Sequence, residues 1–273
     1  IGSALAFSPA IGPIVGGMID QAFGWSSIFL FLIGMGVIVF ITTYFKLAET
    51  HFHSSAHARP MQSVLIRLMR DPRVIAYGIV VAACNGIVFS FYAEGSFYMI
   101  ELLGLNPSTY GAGFLGIASA AALGGWLARR MHDQMTSIAI FKRGMGILII
   151  GSLIFMLMTF ALALFNDAPK IISIILTLGC MMIMMTGITM IIPISLSSAL
   201  ENYKNAIGTA SSLFGFFYYT GISLFTLGMG SIHNGTLFPM PIYFFGISVL
   251  IWVVFSKWID DNHTLFLSKP PPN

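Results

Sequence analysis

The stretch Ser8-Pro9-Ala10-Ile11-Gly12-Pro13-Ile14-Val15-Gly16-Gly17 decides the fold. It lies inside the first of eight apolar segments, yet it holds two prolines and three glycines. Proline lacks an N–H and clashes with the preceding turn, and glycine offers no side chain to pack. In water such a segment is a poor helix. Within a membrane, neighbouring helices satisfy the freed backbone groups, and small residues let a second backbone come close. The expectation is a tightly packed membrane helix whose small face is Ser8, Gly12, Gly16 and Gly17.

The rest of the chain agrees with that setting. It is 57% hydrophobic and 8% charged, with a mean hydropathy of +0.88. A soluble domain carries about 25% charged residues, so a water-facing surface is excluded and the class is integral membrane. Cys84 and Cys180 each lie within an apolar segment and read as small hydrophobes, not as a disulfide or a metal site. The chain opens on Ile1, already apolar and with no basic flank. That reads as a chain whose beginning is missing, not as a signal peptide.

A spanning helix takes about 20 mostly apolar residues. The segments that qualify are 1–19, 27–45, 75–99, 109–128, 144–165, 171–193, 207–230 and 240–257. None alternates like a strand, so all eight read as helices and the fold class is all-α. Turn chemistry marks the breaks at Gly24-Trp25-Ser26, Asn106-Pro107-Ser108, Asn166 to Pro169, and Pro239 with Pro241. Pro193 predicts a kink closing the sixth span.

Crossing the bilayer eight times places Lys46, Arg59, Arg67, Arg70, Arg73, Arg129, Arg130, Lys142, Arg143, Lys204, Lys257 and Lys269 on one side. Lys170 alone is left opposite. The basic side is cytoplasmic by the positive-inside rule. The start of the first span and the C-terminal tail are then both cytoplasmic. The expected organisation is two helices in 1–45, a cytoplasmic loop over 46–74, a six-helix block over 75–258 and a tail over 259–273. Within the loop, Val64 to Met69 reads as a short amphipathic helix on the membrane face. His51 and His53 lack an acid or cysteine to complete a ligand set, so no metal site is expected. The six-helix block reads as two three-span units of inverted topology. Its equivalent second helices open on Gly116-Ile117-Ala118-Ser119-Ala120 and Gly208-Thr209-Ala210-Ser211-Ser212.

These residues resemble a known family. Gly12-Pro13-Ile14-Val15-Gly16-Gly17 is similar to the antiporter signature in the fifth helix of major facilitator superfamily exporters. Gly24-Trp25 followed by Phe29 looks like the start of their sixth helix. Within the superfamily, Ser8 to Pro13 together with Ala206 to Leu213 looks most like the Bcr/CflA multidrug-efflux branch. Two departures stand out. Ser8 occupies a position usually held by glycine, and Arg129 stands where the loop motif after the fourth span carries an acid. The resemblance implies helices five to twelve of a twelve-helix bundle, so that 1–45 would close the N-terminal bundle and 75–258 form the C-terminal one. It also implies that Ser8, Pro9, Gly12, Pro13, Gly16 and Gly17 shape gating between the bundles.

Every acid but Glu94 falls in a loop or at a span end. A carboxylate in a helix centre costs about 2.5–3.5 kcal/mol on insertion scales and is retained where it does work. Glu94 is therefore the candidate for proton or cation binding, its alternative being a residue of the outer interface. Asn85, Ser90, Phe91 and Tyr98 are grouped with it on α-helical spacing as a cavity for bulky amphipathic ligands. Met185 and Thr189 of the sixth span and Phe217 and Tyr218 of the seventh extend that candidate lining.

The function expected is transport by an inner-membrane antiporter: proton-coupled efflux of small amphipathic compounds by alternating access. The expected partners are the lipid bilayer, a small-molecule substrate and protons. Nucleic acid is not expected, the full-length protein is expected to be a monomer, and no cofactor beyond the proton gradient is expected. Two alternatives stay open: a proton-coupled uptake symporter for a metabolite on the same fold, and a non-transporting truncated membrane protein. Catalysis is not expected, because no span contains a histidine and no phosphate loop or metal spacing occurs.

Overall fold

A computed structural model describes residues 2–47, 61–164 and 169–260. His51, His53 and the 261–273 part of the tail lie outside the described residues, and Ser8 and Pro9 are described as backbone only. Each of the eight predicted segments coincides with a helix. They are α1 (Gly2–Phe23), α2 (Ser26–Lys46), α4 (Pro72–Ser96), α5 (Pro107–His132), α6 (Ser137–Leu164), α7 (Lys170–Ala199), α8 (Ile207–Ser231) and α9 (Pro239–Val254). The short α3 (Met61–Arg70) is the amphipathic helix expected in the loop. The fold is all-α, and among the described residues seven helices, α2 and α4 to α9, are long and apolar enough to cross a membrane.

The predicted turn residues end the helices by identifiable means. Gly24 leaves α1 at φ +81° and Gly104 closes the α4 segment at φ +76°, a backbone region that residues with a Cβ avoid. Pro72, Pro107 and Pro239 open α4, α5 and α9 at the first turn, where a missing N–H costs nothing. Asp71 caps α4 by accepting from the Arg73 N–H at 3.0 Å.

Several helices outrun the apolar windows. α6 begins at Ser137, taking Lys142 and Arg143 into its first turns and shrinking the expected loop 129–143 to 133–136. α7 passes Pro193 and continues to Ala199. Hydropathy measures the hydrocarbon, about 30 Å thick, whereas backbone hydrogen bonding carries a helix on into the headgroups.

α4 to α9 pack with an internal two-fold pattern. α4 lies on α8 as α7 lies on α5, and α4 on α9 as α7 on α6, while α4 meets α7 and α6 meets α9. Exchanging the triplet α4–α6 with α7–α9 leaves this pattern unchanged, as two repeats of one three-helix unit require. α1 packs along α5. α2 packs on α1 and has no buried residue; a helix apolar on all sides is suited to lipid or to further helices.

Candidate functional site

Small residues draw α4 and α8 together. Gly78, Ala82, Gly86 and Ser90 recur every fourth residue of α4 and form one ridge. A Cβ added at Gly86 would lie 2.6 Å from Cβ of Phe225, and one added at Gly221 would lie 2.7 Å from Cβ of Ala82. The two helices run parallel, because partners advance together along both chains.

Glu94 continues the same ridge. Its carboxylate Oε2 lies 2.5 Å from Nδ1 of His233 in the α8–α9 loop. With Glu94 as the carboxylate, the imidazole Nδ1–H is the donor. The Glu94 side chain is 13% exposed and that of His233 38%. The Phe97 ring also packs on the imidazole, with 5.6 Å between ring centroids. Here α4 passes into a π-helical turn, Phe97–Leu102. The wider turn carries Glu101 into the same cleft, a cavity of about 270 Å³ whose lining includes Tyr98, Met229, Thr236 and Met240. Single π turns of this kind recur at functional sites.

Glu94 stands 22 residues after Pro72, about 33 Å along the axis at 1.5 Å per residue, in the last turn of α4. The basic residues gather at the other end of the bundle. There Arg73 pairs with Glu201 at 3.3 Å, the Arg67 guanidinium lies over the Tyr203 ring and Lys142 over the Phe255 ring. Tyr203 also donates to Asp71 at 3.3 Å.

The group predicted around Glu94 divides. Tyr98 lines the cleft with it. Asn85 does not: nine residues at about 100° each place it on the opposite side of α4, where its amide donates to the Val81 carbonyl. Phe91 is fully buried and packs on Phe114 of α5. Ser90 is fully buried, and its hydroxyl has no partner among the described residues. Met185 is buried in α7, and Thr189 donates to the carbonyls of Met185 and Thr186 beside Gly124 of α5. Phe217 flanks Gly78 of α4, and Tyr218 packs on Phe214 and Tyr219. Among the described residues these side chains lie along separate helix seams. His233 went unpredicted, although alternation of the spans makes it the sole histidine on the side of Glu94 among the described residues.

The proline–glycine stretch forms a second feature. A Cβ at Gly17 would lie 2.5 Å from the Pro107 carbonyl oxygen, and one at Gly111 would lie 2.5 Å from that of Pro13. α1 and α5 are therefore antiparallel and in backbone contact. Gly12 and Gly16 were expected on this face, but a Cβ at either would meet nothing within 4 Å. The correction is one of helical phase. Pro13 and Gly17 share one face, and Gly12 and Gly16 lie about 100° away from it.

The Major Facilitator Superfamily profile matches residues 1–226. An uncharacterized transporter of Rickettsia felis is 29% identical, over 93% of this chain and 65% of its own length. A chloramphenicol resistance protein of Pseudomonas aeruginosa is 22% identical, over 92% of the chain and 58% of its own length. Multidrug resistance protein D of Escherichia coli is 23% identical, over 76% of the chain and 50% of its own length. The chain spans between half and two thirds of the length of these relatives. The match over most of the chain, the all-α bundle and its repeated triplets have one reading: the chain belongs to the Major Facilitator Superfamily.

Proposed function

We propose that the whole protein is a proton-coupled exporter of small amphipathic compounds in the inner membrane, working by alternating access. The observation that carries this reading is the α1–α5 seam. A helix from before the 46–74 loop lies in backbone contact with one from after it. Bundles that rock about a midplane site move against one another across such a seam. Similarity to proteins named for chloramphenicol and multidrug resistance supports export over uptake. In this reading the Glu94–His233 pair is the proton-accepting group at the non-cytoplasmic end, and Gly17 and Pro13 govern how far the seam opens.

The test is proton flux in vesicles carrying the full-length gene product. A chloramphenicol-like or cationic amphipathic substrate added to energised, inside-acid vesicles should drive proton release from the lumen, and Glu94→Gln should reduce it. Substrate and protons moving in the same direction would establish the symporter instead. A folded protein that couples no flux to any substrate would establish a non-transporting membrane protein.

A further inference from the structure

α3 carries more apolar surface than the bundle covers. Val64 and Leu68 are buried, at 4% and 2% exposure, where α3 rests on α8 and α4. Met61, Leu65 and Met69 continue the same apolar arc and Ile66 resumes it beyond Gln62; all four stay exposed, from 38% for Leu65 to 62% for Met61. At about 100° per residue the arc ends at Ile66, and the next positions around the helix are Arg70, Ser63 and Arg67. Ile66, Arg67, Arg70 and Asp71 line an open concavity of about 600 Å³.

We propose that this face of α3 is a docking surface for the anionic leaflet of the bilayer, with Arg67 and Arg70 holding acidic phospholipid headgroups. Three observations select this occupant. Asp71 is the sole residue between α3 and the spanning helix α4, so α3 is held at the depth where α4 meets the membrane surface. The exposed arc matches the shallow burial of interfacial helices, with arginine at its edge. The concavity is net cationic, because Arg67 and Arg70 line it against the single carboxylate of Asp71. The inference needs the chain to be a membrane protein and does not depend on what it transports.

The experiment places an environment-sensitive dye at Ile66→Cys in the full chain, with Cys84 and Cys180 changed to alanine. The protein is reconstituted in phosphatidylcholine vesicles with and without phosphatidylglycerol. The expected result is a blue-shifted dye, shielded from an aqueous quencher, in the anionic vesicles alone, with the shielding reversed by high salt. Arg67→Gln with Arg70→Gln should weaken the lipid dependence roughly tenfold, while Arg67→Lys with Arg70→Lys retains it. Circular dichroism checks that each variant is folded. Equal quenching in neutral and anionic vesicles would overturn the proposal, whether the dye is exposed in both or covered in both by polypeptide. A folded double-glutamine variant that kept the lipid dependence would overturn the role of the arginines.

Discussion

Glu94 and His233 form the last rung of a seam that begins three turns earlier. They are 139 residues apart, and the same offset separates Ala82 from Gly221 and Gly86 from Phe225. A constant offset is the signature of two parallel helices in register. The small residues of the ridge set the spacing of α4 and α8, and that spacing delivers a carboxylate to an imidazole at the last turn of α4.

Breaking the rung should loosen the α8–α9 loop without unfolding the bundle. The pair is partly exposed, so its net worth is about 1 kcal/mol. His233→Ala should therefore raise the opening of residues 232–238 roughly fivefold, read by amide hydrogen exchange. Glu94→Gln keeps an acceptor and should raise it less. Unchanged exchange in His233→Ala would mean that neither the Glu94 bond nor the Phe97 contact holds the loop.

Gly86 should be the least replaceable position of the ridge. A methyl group there meets Phe225 at its Cβ, close to the backbone, where no rotamer change clears it. Overpacking of this kind costs about 1–3 kcal/mol. Gly86→Ala should lower the thermal midpoint in detergent, whereas Gly215→Ala in α8, which meets nothing within 4 Å, should leave it unchanged or raised.

The α1–α5 seam makes an analogous distinction inside one motif. Gly17→Ala drives a methyl into the Pro107 carbonyl, while Gly16→Ala and Gly12→Ala add theirs to open space. In vesicles of the full-length product, Gly17→Ala should impair transport strongly. If the contact with α5 is what limits the motif, Gly16→Ala should impair it less. Equal loss at both positions would assign the Gly16 face a contact of its own beyond α1 to α9.

How much of this was legible follows from which interactions leave a periodic trace. The helices showed, because apolar runs of about 20 residues have few other readings, and Pro107 and Gly24 punctuated them where expected. The α4 ridge was not singled out from the sequence, although Gly78, Ala82, Gly86 and Ser90 repeat at intervals of four. Its partner was not readable, because nothing local tells α4 that it will lie on α8. The same gap hid His233: Glu94 drew notice as an acid within an apolar run, but its mate lies in a loop distant in sequence. Asn85 shares the span of Glu94 but not its face, because nine residues bring the helix to its far side. Gly16 and Gly17 looked interchangeable in the motif, and only the position of α5 separates them.

The basic end of the bundle should show its own titration. Burial raises the Tyr203 phenol above its ordinary value, Asp71 adds to the shift through charge and hydrogen bond, and Arg67 opposes it. A pKa raised in the folded state means that the Tyr203–Asp71 contact is fully present below the unfolded phenol value, about 10. The contact is lost as pH climbs through the higher folded value. Phenolate absorbance of the wild type minus that of Tyr203→Phe should therefore rise later than that of a free tyrosine. Removing the opposing cation in Arg67→Gln should delay it further, and Asp71→Asn should bring it forward. An Arg67→Gln difference curve that moved to lower pH would show that the guanidinium does not act on this phenol.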